Sequence, residues 1–343
     1  MLKKITLIGS MLVAAGAHAD TNFTIYGVID IAAQDETNAK ADGSSIVRVT
    51  SGATGGSRLG FKASQDIDYG LKVNFKLEAG FLPDTGAQSD ASRLFNREAW
   101  VGLQNDFGEI RAGRQYNVLF EHFAIFDPMY AVSNVAESVP YLSYAAGDDP
   151  VHKDNAVRLG ATLGNAHAGL MLAPGEGSSG RYIGLVGNYT KGSSGFGAFF
   201  EQRNPKNADD PAWTTITDAG FGGSYDFGGG VVVMANYQHH NHTFAIPLKL
   251  EGSLYNLGAT YQVTEHLSLL ASDYFDRQHN GSGLDARRNT LALSAYYQIG
   301  PKTGVYVYGD TTRWKNGYVE ILGDDYGQKA KRENYMVGLR HAF

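Results

Sequence analysis

The chain contains no cysteine and only 9 prolines in 343 residues. It is therefore not held by disulfides, and its composition is neither collagen-like nor that of a Pro-rich disordered protein. Basic charge is also scarce: 29 Lys and Arg against 35 Asp and Glu give a formal charge of −6, which excludes a strongly basic chain that seeks nucleic acid. After the N-terminus no stretch approaches the roughly 18 uncharged apolar residues of a spanning helix. With 19% charged residues and a mean hydropathy of −0.25, a helical membrane protein is excluded as well.

The first residues have their own pattern. Lys3 and Lys4 precede an apolar run from Ile5 to Ala15, and Ala17-His18-Ala19 is a small-x-small cleavage site. These are the three parts of a secretory signal. The pattern predicts a cleaved signal peptide over residues 1–19 and a mature domain over 20–343. Cleavage removes two lysines and no acid, so the formal charge of the mature chain falls to −8. An exported, cysteine-free chain fits the bacterial envelope.

The mature chain is rich in glycine (43) and aromatics (20 Tyr, 17 Phe, 3 Trp), and its apolar residues alternate with polar ones instead of recurring at helical spacing. Leu71, Val73, Phe75, Leu77, Ala79 and Phe81 share one strand face, with Lys72, Asn74, Lys76 and Glu78 on the other. Asn289 to Gln298 and Tyr335 to Phe343 repeat the pattern. Sixteen such segments centre near residues 27, 60, 76, 99, 111, 160, 169, 186, 199, 222, 236, 256, 271, 292, 307 and 339. A repeat of about 20 residues fits tilted strands of 9 to 11 residues that cross a membrane, plus their connections. Strands of soluble sandwiches are shorter. Aromatics near strand ends (Tyr26, Phe81, Tyr189, Tyr225, Tyr237, Tyr261, Tyr297), a charged opposite face and a terminal aromatic predict a lipid-facing barrel. Short turns at Asp66 to Gly70, Asn105 to Gly108, Gly164-Asn165, Lys191 to Gly195, Asp226 to Gly230 and Thr264 to His266 alternate with longer polar connections, as an up-and-down order requires. Tyr116 to Asn155, about 40 residues with little alternation, is too long for an ordinary loop and calls for a function.

Several runs in order along the mature chain carry a resemblance: Thr24-Ile25-Tyr26-Gly27-Val28-Ile29-Asp30, Ser57-Arg58-Leu59-Gly60-Phe61-Lys62, Asn96-Arg97-Glu98-Ala99-Trp100-Val101-Gly102-Leu103, Gly113-Arg114-Gln115-Tyr116 and Val337-Gly338-Leu339-Arg340-His341-Ala342-Phe343. The chain resembles the trimeric general porins of Gram-negative outer membranes, in the Neisseria and Burkholderia branch. The resemblance implies an all-β fold: a 16-stranded antiparallel transmembrane barrel with its long third loop folded into the lumen. It also implies a homotrimer surrounded by outer-membrane lipid and lipopolysaccharide, inserted by the barrel-insertion machinery with Phe343 as part of the assembly signal. By the same resemblance Arg58 and Arg97 match the inward arginines of the pore wall, Arg114 the arginine at the exit of the fifth strand, and Arg158 a basic position after the inserted loop.

Alternation independently puts Arg58 and Lys62 on one face, opposite Leu59 and Phe61, and Arg111 opposite Ile110 and Ala112. If Arg97 points inward, strict alternation turns Glu98 and Trp100 outward, which is costly in lipid unless a subunit contact covers them. The expected function is passive diffusion of ions and small hydrophilic solutes through a charged waist. A basic wall of Arg58, Arg97, Arg114, Arg111, Arg158, Lys62 and Lys76 would face loop acids Glu121, Asp127, Glu137, Asp148 and Asp149, and opposed charges across a small aperture orient water and dipolar solutes. The arginine wall favours a weak anion preference.

Other motifs carry less. Gly175 to Gly180 fits G-x-G-x-x-G but no βαβ unit follows it. His239, His240 and His242 have no helical H-E-x-x-H context or cysteine partners for a metal. Asp66 and Asp68 read as turn residues. No P-loop or G-x-S-x-G string occurs, and no Ser/His/Asp set has catalytic spacing, so neither a cofactor nor an enzyme is indicated. A barrel hydrolase, a substrate-specific porin and an adhesin are the competing classes. Hydrolysis abolished by one substitution, saturable conductance for one solute class, or host binding that survives a blocked pore would mark them in turn.

Overall fold

A computed structural model describes residues 22–40, 42–52, 54–129, 149, 151–176, 180–204, 213–244, 249–279, 285–318 and 330–343. Sixteen strands form one antiparallel wall: β1 Asn22–Glu36, β2 in two parts (Ile46–Ser51 and Arg58–Ile67), β3 Leu71–Leu82, β4 Glu98–Gln104, β5 Gly108–Tyr116, β6 His152–Leu163, β7 Ala166–Ala173, β8 Arg181–Lys191, β9 Ser194–Asn204, β10 Trp213–Gly228, β11 Val231–Phe244, β12 Lys249–Gln262, β13 Leu267–His279, β14 Asp285–Gly300, β15 Thr303–Lys315 and β16 Lys331–Ala342. The two parts of β2 pair in turn with the outer and inner lengths of β1, so they are one interrupted strand. Each of the sixteen segment centres read from alternation falls inside a different strand. A two-residue strand, Ala87–Gln88, pairs back onto the end of β3 and lies outside the wall.

Closure comes from β1 against β16, from Val28 opposite Ala342 to Glu36 opposite Asn334. A closed ring leaves no unpaired sheet edge, the condition for a β structure to sit in hydrocarbon. Because the side-chain period is two, one face of every strand turns out and the other in. Leu257 (61% exposed), Leu293 (53%), Val307 (52%) and Val337 (64%) belong to the outward face. Exposure of so much apolar surface is disallowed in water and required in lipid. Of the aromatics expected at the interface, Tyr225, Tyr261 and Tyr297 are exposed on that face. Tyr26 is the exception. It lies two residues from Val28 and four from buried Asp30 on the inner face, and its hydroxyl donates to Glu78 Oε2 at 2.7 Å.

One α-helix stands out among the described residues: α1, Val118–Phe126, at the start of the long third connection. Asn117 caps it by accepting from the Phe120 amide at 2.9 Å. Val118, Leu119, Phe123 and Phe126 are buried on the inner face of β8 to β11, where Gly184 and Gly197 leave room for Val118 and the Phe126 ring. Residues 117–129 thus lie inside the barrel. Residues 1–21, which include the predicted signal peptide, and 130–148 fall outside the described residues.

Candidate functional site

The inner face of β1 to β5 carries a ladder of charge. Cross-strand pairing stacks its rungs two residues apart, about 7 Å along the strands. One rung joins Tyr26, Gly60, Glu78 and Glu98, and the next Lys62, Lys76 and Trp100. Arg111 and Arg158 share the rung below, and Arg58 sits one rung above Glu78. Gly60 is a steric requirement: a Cβ there would lie 2.3 Å from the Tyr26 ring, which crosses over it to reach Glu78.

Glu78 is the hub. Arg97 Nε donates to it at 2.7 Å, Arg58 Nε lies 3.8 Å away and Lys76 Nζ 3.5 Å. Arg97 also donates to the Tyr116 hydroxyl. Lys76 pairs with Glu98, to which Trp100 Nε1 donates at 3.0 Å. The Arg111 guanidinium lies 4.9 Å from the Trp100 ring and pairs with Glu109, and Lys62 Nζ is 5.4 Å from the Tyr26 ring.

Two sequence expectations need correction here. Glu98 and Trp100 point inward, so no lipid-facing carboxylate arises. Arg97 also turns inward because it precedes the regular part of β4: its amide donates to the Glu78 carbonyl at 3.2 Å, and alternation begins only at Glu98. The wall is not uniformly positive either, since Glu78, Glu98 and Glu109 interleave with its cations. The signal was present in the alternation of Lys76 with Glu78 on the polar face of β3.

The other predicted residues separate by exposure. Arg58, Lys76, Arg97 and Arg111 keep 15 to 25% of their side chains accessible, and Lys62 is exposed. Arg158 is 2% exposed, clamped between Glu109 at 3.0 Å and Glu121 of α1 at 2.7 Å. Arg158 and Glu121 therefore fix the helix to the wall instead of facing each other across the aperture. Asp127 is fully buried and accepts from the Tyr274 hydroxyl at 2.8 and 2.9 Å, pinning the end of α1 to β13. Asn236 Nδ2 donates to the Phe126 carbonyl at 2.7 Å, a third anchor.

Arg114 lies apart from the ladder, at a register shift in β5. It donates to the Asn96 carbonyl at 2.7 Å and to Asp154 at 2.6 Å, and it pairs with Asp149, tying the bases of the second and third long connections together. Burial raises the Asp149 carboxyl, but hydrogen bonds from His152 and the neighbouring charges of His152 and Arg114 outweigh it and hold the group well below the usual carboxylate range. Glu137 and Asp148 lie outside the described residues. His240 and His242 point inward, and His239 lies beside Glu251 at 3.5 Å on the opposite face. Among the described residues no group of three or more His, Cys, Asp or Glu could hold a metal.

A closed wall with an apolar belt outside, ionised side chains inside and a helix packed into its interior is a transmembrane channel. In a ring of sixteen strands, β10 and β11 lie opposite β2 and β3, so α1 narrows the lumen from the side facing the ladder. The chain belongs to the Gram-negative porin family, whose model matches residues 6–317. It is 25% identical over 399 residues to an outer membrane porin of Bordetella pertussis and 26% identical over 371 residues to outer membrane porin protein 32 of Delftia acidovorans, with both chains covered completely in each case. The major outer membrane protein P.IB of Neisseria meningitidis is 32% identical over 120 residues, about a third of each chain. Among solved structures, an anion-selective porin from Comamonas acidovorans has a TM-score of 0.80 at 22% identity, covering 94% of this chain and 100% of that one. The trimer form of OmpT from Vibrio cholerae has a TM-score of 0.70 at 16% identity, covering 94% and 99%. The protein is an outer-membrane porin, a passive channel for ions and small hydrophilic solutes.

Proposed function

We propose that the channel is weakly anion-preferring and that its constriction lies between the β1–β5 ladder and α1. Arg58, Arg97, Lys62, Lys76 and Arg111 meet the solute there, while Arg114 and Arg158 position the loops that shape the opening. The carrying observation is the charge count of the ladder. Five cations (Arg58, Lys62, Lys76, Arg97, Arg111) stand among three carboxylates (Glu78, Glu98, Glu109), and those least exposed, Glu78 and Glu98, lie behind the cations that engage them. A solute in the lumen sees the cationic ends first. The formal charge of −8 on the mature chain is spread over its whole surface and does not report on this waist. The name of the Comamonas neighbour as an anion-selective porin supports the reading.

We also infer that residues 1–19 are removed on export, that the mature chain 20–343 works as a homotrimer in outer-membrane lipid, and that the insertion machinery recognises the strand ending in Phe343. The family and the trimer form of the OmpT neighbour support these readings. The test of selectivity is the zero-current potential of single channels in a planar bilayer under a KCl gradient. A sign that reports chloride as the more permeant ion is expected, and a potassium-preferring potential would refute the assignment.

A further inference from the structure

The inner face of β16 carries an arginine that lies outside the β1–β5 ladder. Arg340 stands opposite Asp30 of β1, one rung above the level at which Arg58 faces β1 from the other side. Arg58 and Arg97 pair with Glu78 at 3.8 and 2.7 Å, and Arg111 pairs with Glu109. Arg340 pairs with no carboxylate among the described residues, and its Nε is buried without a hydrogen-bond partner. The residue as a whole remains partly exposed, on the face opposite outward Leu339 and His341.

The cause is local. Between the two parts of β2 the chain runs from 52 to 57 opposite only Ile29 and Asp30, and the surplus turns into the lumen at Thr54 and Gly55. Thr54 donates to Asp30 Oδ2 through its amide at 3.0 Å and through its hydroxyl. Gly55 lies against the Arg340 side chain, where a Cβ would be 3.5 Å from Nε. From β15 the Tyr306 hydroxyl reaches Asp30 Oδ1 at 2.7 Å by passing over Gly338 of β16, where a Cβ would come within 2.2 Å of that hydroxyl. Both oxygens of the acid opposite Arg340 are thus occupied, and three donors fill most of the roughly four acceptor sites of a carboxylate.

We propose that Arg340 is a specificity-determining contact for permeating anions, and that Thr54 and Tyr306 are positioning residues that hold Asp30 back from neutralising it. The assignment rests on the anion-preferring reading of the channel and adds to it a residue and a device. Arg58 Nη1 donates to the Gly56 carbonyl at 2.9 Å, so the same inward fold of β2 orients two guanidinium groups on rungs about 7 Å apart along β1. A guanidinium without a carboxylate partner presents its fork of donors to an anion in the lumen, whereas a paired one has spent them. Selectivity therefore depends on two hydroxyl groups that carry no charge.

The mature protein, checked for the heat-modifiable migration of a folded barrel, is incorporated into planar bilayers, and the zero-current potential in a KCl gradient gives the chloride-to-potassium permeability ratio. In Arg340→Gln the ratio should fall about two- to fourfold, and Arg340→Lys should keep most of it. Because Arg340 sits in the closing strand, a second test leaves that strand and the net charge unchanged. The double variant Thr54→Val, Tyr306→Phe should also lower the ratio, since Asp30 is then free to pair with Arg340, and adding Asp30→Asn should restore it. A wild-type ratio in folded Arg340→Gln or in the folded double variant would overturn the proposal, as would an Arg340→Lys ratio no higher than that of Arg340→Gln. Potassium preference in the wild type would instead refute the anion reading of the pore, so the two failures are told apart in one series of recordings.

Discussion

Glu78 shows how one residue sets the character of the lumen. It is a buried carboxylate with a tyrosine hydroxyl and three cations around it, and removing it frees those cations instead of leaving them unpaired in hydrocarbon, because the lumen is wet. The double variant Glu78→Gln, Glu98→Gln should therefore move the zero-current potential further toward anion preference. Arg58→Ser with Arg97→Ser should widen the waist and move it toward cations. Identical potentials in both variants and wild type would show that the ladder does not line the limiting aperture. The faces of Arg58 and Arg111 were legible from alternation, whereas Arg97, which lies before the regular part of β4, was placed by the resemblance alone. The partner carboxylates were legible only in part, since knowing that Glu78 meets Arg97 requires the β3–β4 register, which depends on where β4 begins. Tyr26 illustrates the same limit: a tyrosine near a strand end suits either a lipid interface or a lumen wall, and only the parity it shares with Asp30 decides.

Helix α1 is held by interactions with three different strands. Arg158 on β6 holds Glu121, Asn236 on β11 takes the Phe126 carbonyl, and Tyr274 on β13 holds Asp127. Arg158 is the most consequential, because its loss leaves Glu109 and Glu121 facing each other. Breaking a buried pair of this kind costs about 3 kcal/mol. Arg158→Gln should lower the unfolding temperature of the barrel in detergent and increase fluctuations of the open-channel current, while Tyr274→Phe, which removes a single hydroxyl, should have a smaller effect on both. Unfolding temperature and current noise unchanged in Arg158→Gln would contradict this anchoring. The length of the third connection announced an unusual element. Its helix was not foreseen, because Val118 to Phe126 is apolar nearly all round and lacks a polar stripe, as suits a segment packed against a wall inside a barrel.

The whole molecule depends on closing the ring. At the seam the Phe343 amide donates to the Gly27 carbonyl at 3.1 Å, the Gly27 amide donates back at 3.3 Å, and the terminal ring lies where a Cβ on residue 27 would come within 2.3 Å of it. Phe343→Ala should reduce the yield of folded, heat-modifiable protein in the outer membrane. Gly27→Val, which displaces the ring while preserving the C-terminal sequence, should slow closure with a smaller loss of yield. Normal yield from both would dissociate the terminal aromatic from assembly. Strand number and up-and-down order were readable because lipid outside and water inside impose a two-residue period on every crossing. The apolar groove on the outer wall lined by Ala259, Ala271, Leu293 and Gly309 was not, since it is assembled from six strands whose alignment no single segment records. The central claim is that this closed wall surrounds a continuous aqueous path. The most direct measurement is swelling of liposomes that contain the folded mature protein, using uncharged sugars of increasing size. The structure predicts permeation that declines steeply with solute size and is absent with unfolded protein. Equal impermeability to the smallest and largest sugars with correctly folded barrels in the bilayer would contradict it.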